Sequence, residues 1–185
     1  SLQALCLSYF IMMPTSMSYI VYHHNDKPAF EIYTWQQYEL VLSRYLGLFP
    51  SYYPTGGEKV FVFDPKLLAF AIYLPEGVLF GAGKAVGGAS WCADAGRPCK
   101  TVLGEHQVIR KGSQYCSSGK YPLPNGGAPM PYCMHFHPRG YAIHGSNALP
   151  DINASHGCIR VEPQTAGWLS KNFMDVGTKV IVLDY

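Results

Sequence analysis

Short apolar runs follow one another from about residue 58 to the end of the chain, and their lengths indicate β-strands. Two of them flank the turn "DPK" in a pattern typical of a β-hairpin, "KVFVFD" and "LLAFAIYL". Glycines inside some of the later runs mark bulges or turns. The other strand candidates are "VLFGAGKAV", "TVLGEHQVIRKG", "CMHFH", "YAIHG", "CIRV" and "TKVIVLDY".

The first 55 residues follow a different pattern, which predicts an extension ahead of the main domain. Residues 1–22 are uncharged and strongly apolar, but polar residues and a proline interrupt the run, so we predict that it is not transmembrane. The run also lacks the basic residues that open a signal peptide. Residues 28–49 predict a helix whose apolar face consists of Trp35, Tyr38, Leu42 and Tyr45. We expect residues 1–55 to form an apolar and helical extension packed on the core of the domain.

A second helix is predicted near the end of the chain, from roughly Pro163 to Val176. Proline suits the first helical position, and Gly177 provides a C-terminal stop. One late helix set against many short strands predicts a mainly β domain, a sandwich or partly closed barrel, over residues 56–185.

Composition and charge argue against a nucleic-acid partner. The 14 Lys and Arg residues nearly balance the 12 Asp and Glu residues, for a net charge of +2, and the sequence contains no basic run. The 19 Gly, 14 Pro and 14 Tyr residues support a turn-rich and strand-rich chain over a helical bundle.

Four of the six cysteines bracket two polar loops, and we predict the disulfides Cys92–Cys99 and Cys116–Cys133. Loops that are rich in Gly and Pro and closed by a cysteine pair are typical of exported proteins. Unpaired thiols in a cytosolic protein remain an alternative, because spacing alone does not fix connectivity. Cys6 stands apart, and Cys158 is left as an odd thiol.

The segment "HGSNALPDINASHGCIRV", residues 144 to 161, places two histidines and a cysteine close together. Zinc binding is one interpretation, because imidazoles and thiolates are zinc ligands. The spacing of the candidate ligands matches no compact zinc motif, so we predict neither a metal nor a cofactor. These candidates are His135, His137, His144, His156 and Cys158.

A catalytic thiol is the interpretation that the flanking residues favour over a structural cysteine. A buried structural cysteine behaves as a small apolar residue, whereas the neighbours of Cys158 are polar and glycine-rich. Gly157 lets backbone N–H groups approach a reacting atom closely, as an oxyanion site requires. His144 is the candidate base, and His156 is a second candidate that we expect to orient the loop or the substrate. An imidazole beside the thiol predicts a Cys158 pKa below the ordinary value of about 8.5.

Two pieces of this segment, "IHGSN" and "SHGCIRV", resemble the signature of the L,D-transpeptidases, the YkuD-type catalytic domain. The run "MPYCMHF" is similar to the strand that precedes the His-Gly pair in that family. The run "KTVLGEHQV" resembles another family strand, although it lacks the family's proline. The pieces "EPQTAGWL" and "VGTKVIVLDY" are similar to the closing helix and strand. The resemblance covers roughly residues 58–185 and does not extend to residues 1–55.

The resemblance implies a YkuD-like, mainly β sandwich or partly closed barrel in which Cys158 is the nucleophile and His144 is its base. The Gly145 carbonyl would orient the imidazole, and the backbone N–H groups of Gly157 and Cys158 would form the oxyanion hole. His156 would help to orient the site. The residues that the resemblance implies for substrate binding are Arg160, Ser155, Tyr132 and Met130.

For activity, the resemblance implies acyl transfer on peptidoglycan tetrapeptide stems outside the cytoplasm, in the periplasm or cell envelope. Cys158 would attack the carbonyl of the third stem residue, release the terminal D-alanine and hold the stem as a thioester. An amine of a second stem, or of another acceptor such as a protein, would then take the acyl group. Such an enzyme would serve cell-wall biogenesis and cell shape and would be carbapenem-sensitive.

Two alternatives to this activity remain. With water as acceptor the enzyme would be an L,D-carboxypeptidase, and a catalytically idle wall-binding or surface protein could keep the same fold. The intact Cys158 and His144 favour an enzyme, because an idle protein needs neither residue. The loops 92–99 and 116–133 resemble insertions beside the substrate path, and they leave the acceptor undetermined.

Overall fold

Nine strands form two sheets within residues 45–185, the part of the chain that this computed structural model describes. The strands are β1 (Val60–Asp64), β2 (Ala69–Tyr73), β3 (Leu79–Lys84), β4 (Gly104–Gln107), β5 (Arg110–Lys111), β6 (Met134–His135), β7 (Ala142–Gly145), β8 (Ile159–Val161) and β9 (Lys179–Val182). A short helix, α1 (Pro163–Trp168), runs directly into a π-helical segment (Leu169–Phe173). These elements confirm the predicted mainly β fold.

β1 and β2 form the predicted hairpin within the first sheet, whose strand order is β3-β2-β1-β9-β4. The two strands pair antiparallel, with Asp64 opposite Ala69 at the turn. The Asp64 carboxylate accepts hydrogen bonds from the backbone N–H groups of Lys66 (2.9 Å) and Leu67 (3.1 Å), which closes the turn. The last strand, β9, lies parallel to β1 and separates it from β4.

The second sheet has the strand order β5-β6-β7-β8, and its last two strands are parallel. The run "TVLGEHQVIRKG" does not form a single strand, because β4 pairs in the first sheet and β5 in the second. Between them, Val108 N–H donates to the Thr178 carbonyl (2.9 Å) and Ile109 N–H donates to the His135 carbonyl (2.7 Å). One extended segment therefore ties the two sheets together.

The core lies between the two sheets, and strand alternation decides which residues reach it. In β1, Phe61 and Phe63 belong to this core, whereas Val60 and Val62 belong to a cluster on the opposite face. Phe61 stacks on Phe70 with ring centroids 5.1 Å apart. Burial of an aliphatic or aromatic side chain of this size contributes roughly 1.5–3 kcal/mol. The second sheet and the helical segments add Met134, Ile143, Ile159, Val161, Leu169, Phe173 and Met174.

Residues that precede β1 cover the opposite face of the first sheet. Phe49 is buried in a cluster with side chains of β1 and β2, and Tyr45 and Tyr53 pack against that cluster. The Tyr73 hydroxyl donates to the Pro50 carbonyl (2.9 Å), and burial raises the pKa of Tyr73 to about 12. The predicted apolar run, the state of Cys6 and most of the predicted helix lie outside the described residues. Packing of the whole extension, residues 1–55, therefore stays a prediction.

The predicted helix over residues 163–176 is shorter than expected and changes its form. α1 begins with proline at the first helical position, as predicted, but it gives way to the wider π-helical segment. Met174 N–H donates to the Leu169 carbonyl (2.7 Å), and Leu169 and Phe173 are both buried in the core. Gly177 follows with a φ of +95°, a conformation that favours glycine. No helix within residues 45–185 is long and apolar enough to cross a membrane.

Candidate active site

β7 and β8 carry the candidate catalytic residues on neighbouring strands. They pair in parallel, with Ile143 opposite Ile159 and His144 opposite Arg160. Both isoleucines are buried in the core, so alternation directs His144 and Arg160 to the other face of the sheet. Cys158 directly precedes β8, and its thiol donates to the Gly140 carbonyl (3.9 Å), just before β7. The sheet therefore brings Cys158 and His144 to one face.

His144 is buried and held in one tautomer. Its Nδ1 lies 2.8 Å from the Gly145 carbonyl oxygen, which can only accept, so Nδ1 carries the proton and Nε2 is left as the basic nitrogen. Burial is the main reason that the pKa of His144 falls to about 4, and the positive charge of Arg160 lowers it further. The hydrogen bond to Gly145 opposes this shift without reversing it. His144 is therefore neutral at pH 7.

A second imidazole lies on the same face, one strand away. His135 in β6 is directly opposite Ala142 in β7 and is buried, and its Nδ1 has no hydrogen-bond partner within residues 45–185. Burial lowers the pKa of His135, and the positive charge of Arg110 lowers it further. His135 also lowers the pKa of His144, so it favours the neutral state of that imidazole.

Among the cysteines of residues 45–185, Cys158 alone is unpaired. Burial raises the pKa of its thiol, although a hydrogen bond to Ala142 and the positive charge of Arg160 act in the opposite direction. The expectation of a lowered pKa is therefore wrong, because it did not account for desolvation of the thiol. At rest, the Cys158 thiol and the His144 imidazole are therefore both neutral.

The turn that carries Cys158 is pinned by Ser155. The Ser155 hydroxyl donates to the Cys158 carbonyl (2.5 Å) and accepts the Gly157 N–H (3.0 Å). Ser155 is 1% exposed, and its backbone bonds Gly87 and Ala89 of a neighbouring segment. The hydroxyl therefore holds the turn in shape, and its predicted role in substrate binding stays a prediction. The Gly157 N–H is already engaged by this hydroxyl, and the predicted oxyanion hole stays a prediction.

Gly157 has a φ of +128°, and a Cβ at this position would lie 2.6 Å from the Tyr141 ring. Both the backbone conformation and the close approach of the ring require glycine here. The Tyr141 ring is therefore one reason for the glycine, whereas the predicted approach of the Gly157 backbone to a reacting atom stays a prediction.

Both predicted disulfides, Cys92–Cys99 and Cys116–Cys133, are present. Met130 and Ala142 form a small cluster against which Cys158 packs. The buried Cys133 also belongs to this cluster, so the second disulfide borders Cys158.

Tyr132 packs against α1 and not beside Met130, although the resemblance implies that both residues bind substrate. Its φ is +57°, and its ring lies 3.1 Å from where a Cβ on Gly167 of α1 would stand. Its hydroxyl donates to the Gln114 side chain (3.3 Å). The structure thus brings Met130 to Cys158 and directs Tyr132 towards the helix.

His156 is held by residues that the sequence did not single out. Its Nε2 lies 2.9 and 2.8 Å from the two carboxylate oxygens of Asp94, and its ring stacks on Tyr121 with centroids 4.1 Å apart. Asp94 belongs to the loop 92–99, and Tyr121 belongs to the loop 116–133. The sequence indicated that both loops lie beside the site, but it carried no signal for these two contacts.

The positions of the possible ligand atoms do not favour a zinc site. Within residues 45–185, one group of three comes within 4.8 Å of one another: Cys92, Asp94 and His156. Cys92 is joined to Cys99 in a disulfide and cannot supply a thiolate, so this set does not suit zinc. The candidate zinc ligands of the sequence do not form such a group within residues 45–185, apart from His156, and His137 packs edge-on against Tyr141.

The sequence profile of the L,D-transpeptidase catalytic domain, YkuD, matches residues 59–182. No curated protein matches the chain. Among solved structures, an L,D-transpeptidase from Xylanimonas cellulosilytica is similar over 82% of this chain and 71% of that chain, with 22% identity and a TM-score of 0.62.

Two further structures contain β-lactams. L,D-transpeptidase 3 from Mycobacterium tuberculosis, in complex with a faropenem-derived adduct, is 26% identical over 69% of this chain, with a TM-score of 0.56. This chain spans 60% of that structure's length. The L,D-transpeptidase LdtMt1, in complex with imipenem, is 20% identical over 68% of this chain and 59% of that chain, with a TM-score of 0.56.

Proposed function

The chain belongs to the L,D-transpeptidase catalytic-domain family, and from this premise we propose that it is a cysteine-dependent acyltransferase acting on peptidoglycan tetrapeptide stems. One observation carries the proposal. The Gly145 carbonyl holds the His144 ring with Nε2 unprotonated. His144 lies on β7, which pairs with β8, and Cys158 is the residue directly before β8. A base of this kind beside an unpaired thiol is the arrangement that covalent acyl transfer requires.

Acylation starts from the neutral pair. Nε2 of His144 takes the thiol proton as the Cys158 sulfur bonds to the carbonyl carbon of the third stem residue. The carbonyl electrons move to oxygen, and the Cys158 N–H donates to that oxyanion. Collapse of the tetrahedral intermediate breaks the bond to the terminal D-alanine, whose amine receives the proton from His144. The product is a thioester between the stem and Cys158.

The low pKa of His144 suits the second part of this step. An imidazole with a pKa of about 4 is a weak base at rest, but once protonated it is a strong acid that readily gives its proton to the leaving amine. The positive charge of Arg160 lowers the pKa of Cys158 and therefore stabilises the thiolate character that develops during attack. Arg160 is also suited to hold a carboxylate of the stem peptide.

Deacylation repeats the chemistry with a different nucleophile. An acceptor amine attacks the thioester carbon, His144 takes a proton from the amine, and collapse returns that proton to the Cys158 sulfur. The acceptor amine then carries the stem as an amide. A second stem peptide or an amine-bearing protein would serve as acceptor.

Two disulfides support an oxidising compartment for this activity, the periplasm or the cell envelope. In such a compartment the enzyme would meet its polymeric substrate directly and would contribute to cell-wall biogenesis and cell shape. Met130 borders Cys158 and would contact the stem peptide. Ser155 and Tyr132 would instead support the site without contacting the stem, Ser155 through the turn and Tyr132 through its packing on α1.

The test is mass analysis of a tetrapeptide stem incubated with the enzyme, with and without an amine acceptor. We expect a protein adduct equal to the stem less D-alanine, followed by an amide product when the amine is present. A product that contains only added water would identify an L,D-carboxypeptidase. Faropenem provides a second probe, because its strained carbonyl should acylate the same thiol. A folded protein that forms neither adduct would contradict the proposal and favour an idle, wall-binding role.

A further inference from the structure

Two disulfide loops meet at the turn that carries Cys158. The sulfur of Cys92 lies 3.8 Å from the Ser155 carbonyl oxygen, so the loop 92–99 is anchored against the beginning of the turn. Cys116 and Cys133, which close the loop 116–133, belong to the cluster that packs on Cys158 itself. Each loop therefore contacts one end of the turn, residues 155–158.

The two loops are joined to each other through His156. The Asp94 carboxylate, from the first loop, meets the His156 Nε2 with both oxygens, at 2.8 and 2.9 Å. The Tyr121 ring, from the second loop, stacks on the imidazole at 4.1 Å. Arg97 then donates to the Tyr121 hydroxyl (2.6 Å) and links the loops directly. We call these four residues, Asp94, Arg97, Tyr121 and His156, the His156 clamp.

The clamp is poorly suited to stabilise the fold. The Asp94 side chain is 53% exposed, and ion pairs at exposed positions contribute little to stability because solvent screens them. It is well suited to orient a ring, because the Nε2–H of His156 donates to both Asp94 oxygens in a bifurcated bond that sets the direction of the imidazole, and stacking sets its plane. The disulfides keep both partners near His156 whether or not a substrate is bound.

Orientation of His156 matters because of the residue that follows it. Gly157 separates His156 from Cys158 and has a positive φ. Because glycine has more backbone freedom than any other residue, Gly157 does not restrain the turn by itself. Ser155 pins the turn through the Cys158 carbonyl and the Gly157 N–H. His156 provides the second attachment point of the turn, and Asp94 and Tyr121 hold its ring from outside the turn.

We propose that Asp94 and Tyr121 are positioning residues for acyl transfer, which fix the His156 ring and thereby the turn that presents Cys158. The proposal rests on the proposed function for its kinetic consequences. Displacement of a nucleophile by about 1 Å can reduce a rate by roughly 100-fold. Both residues belong to the disulfide loops, so these loops form part of the catalytic apparatus and do more than border it.

The kinetic test compares Asp94→Asn with Asp175→Asn. Both changes remove the carboxylate from an exposed ion pair, but the partner of Asp175 is Lys59, which lies outside the candidate site. With faropenem as the probe, we expect the saturating acylation rate of Asp94→Asn to fall about 10- to 100-fold, with little change in the half-saturating concentration. Asp175→Asn should acylate like the wild type, and Asp94→Glu should recover part of the lost rate.

The dependence on His156 separates positioning from a general structural effect. In a His156→Ala background, Asp94→Asn and Tyr121→Ala should produce no further loss, because the ring that they hold is absent. Tyr121→Phe keeps the stacking and loses only the bond to Arg97, so it should fall between the wild type and Tyr121→Ala. A further loss in the His156→Ala background, or wild-type rates in Asp94→Asn, would overturn the proposal.

A measurement that needs no activity keeps the two proposals distinguishable. Hydrogen exchange at the backbone amides of residues 155–158 should be faster in Asp94→Asn than in the wild type or in Asp175→Asn. Unchanged exchange in Asp94→Asn would contradict the clamp even if the protein were acylated. Faster exchange in Asp94→Asn, found together with a wild-type protein that is never acylated, would leave the clamp standing and contradict the proposed function.

Discussion

The strand pair β7–β8 and the two disulfide loops both border Cys158, but different interactions hold them in place. On the strands, Ile143 and Ile159 are fully buried, and desolvation lowers the pKa of His144 to about 4. The loops contribute only a small apolar cluster, in which Met130 and Cys133 are buried. Covalent bonds close them, and the Asp94 and Tyr121 contacts to His156 join them.

This difference assigns separate tasks to the two regions. A proton acceptor needs a fixed position and a controlled pKa, and buried strands provide both. Polar loops closed by cysteines can change their surface residues without disturbing the sheets, so they are suited to determine how the turn is held and which molecules reach it. The following predictions, ordered by expected size, test this division.

The largest effect should come from Cys158. Cys158→Ala removes the only unpaired thiol within residues 45–185, so acylation by a tetrapeptide stem or by faropenem should disappear entirely. Intact-protein mass spectrometry measures the adduct directly, and a melting temperature like that of the wild type would show that the fold is kept. An adduct on Cys158→Ala would place the nucleophile elsewhere.

Replacement of the base should be nearly as severe. His144→Gln loses the nitrogen that accepts the thiol proton, and the acylation rate should fall by roughly 10²–10⁴-fold. The corresponding change in the loop region, His156→Gln, should cost less, because His156 orients the turn and does not take the proton. If stopped-flow acylation shows the reverse order, then the roles of His144 and His156 must be exchanged.

Loss of either disulfide should affect stability more than any polar contact of the loops. Cys116→Ser with Cys133→Ser, and Cys92→Ser with Cys99→Ser, should each lower the free energy of unfolding by roughly 2–4 kcal/mol. The first pair should cost slightly more, because it closes a loop of 17 residues against 7. Urea denaturation at pH 7 measures both, and equal stability in the wild type and both variants would contradict the prediction.

Acid should destabilise the strand region through His144. The folded pKa of about 4 lies below the ordinary value of 6.5, so the unfolded chain binds more protons between these values. The stabilisation from neutral, buried His144 is complete above pH 6.5 and is lost as the pH falls through about 4, for a total of about 3 kcal/mol. His144→Gln should show a weaker decline in urea denaturation between pH 7 and 4. Parallel pH curves for the two proteins would contradict the lowered pKa.

The smallest effect concerns the resting thiol. Because burial raises the pKa of Cys158, iodoacetamide should alkylate it more slowly at pH 7 than it alkylates a free cysteine, and the rate should still be rising with pH where that of a free cysteine levels off. A plateau in the alkylation rate at neutral pH would indicate a thiolate at rest and would contradict the neutral pair.

Much of the fold could be predicted from local patterns. The β1–β2 hairpin follows from two apolar runs around an aspartate-proline turn, and Pro163 begins α1 because its fixed φ suits the first helical position. The division of "TVLGEHQVIRKG" between two sheets could not be predicted, since β4 and β5 find their partners in strands that are distant in sequence. The π-helical segment likewise depends on how Leu169 and Phe173 fit a core made by other elements.

The sequence by itself determined the chemical groups at the site: a glycine-flanked thiol at Cys158, an imidazole at His144 with the neighbouring carbonyl of Gly145, and the cysteines of two disulfides. Only the tertiary structure decided the protonation states, because desolvation depends on every element packed around a group. It also turned the Ser155 hydroxyl inward and brought Asp94 and Tyr121 to His156 from separate loops. Residue identity specifies which reactions are possible, whereas burial and long-range contacts decide the pKa and orientation of each group.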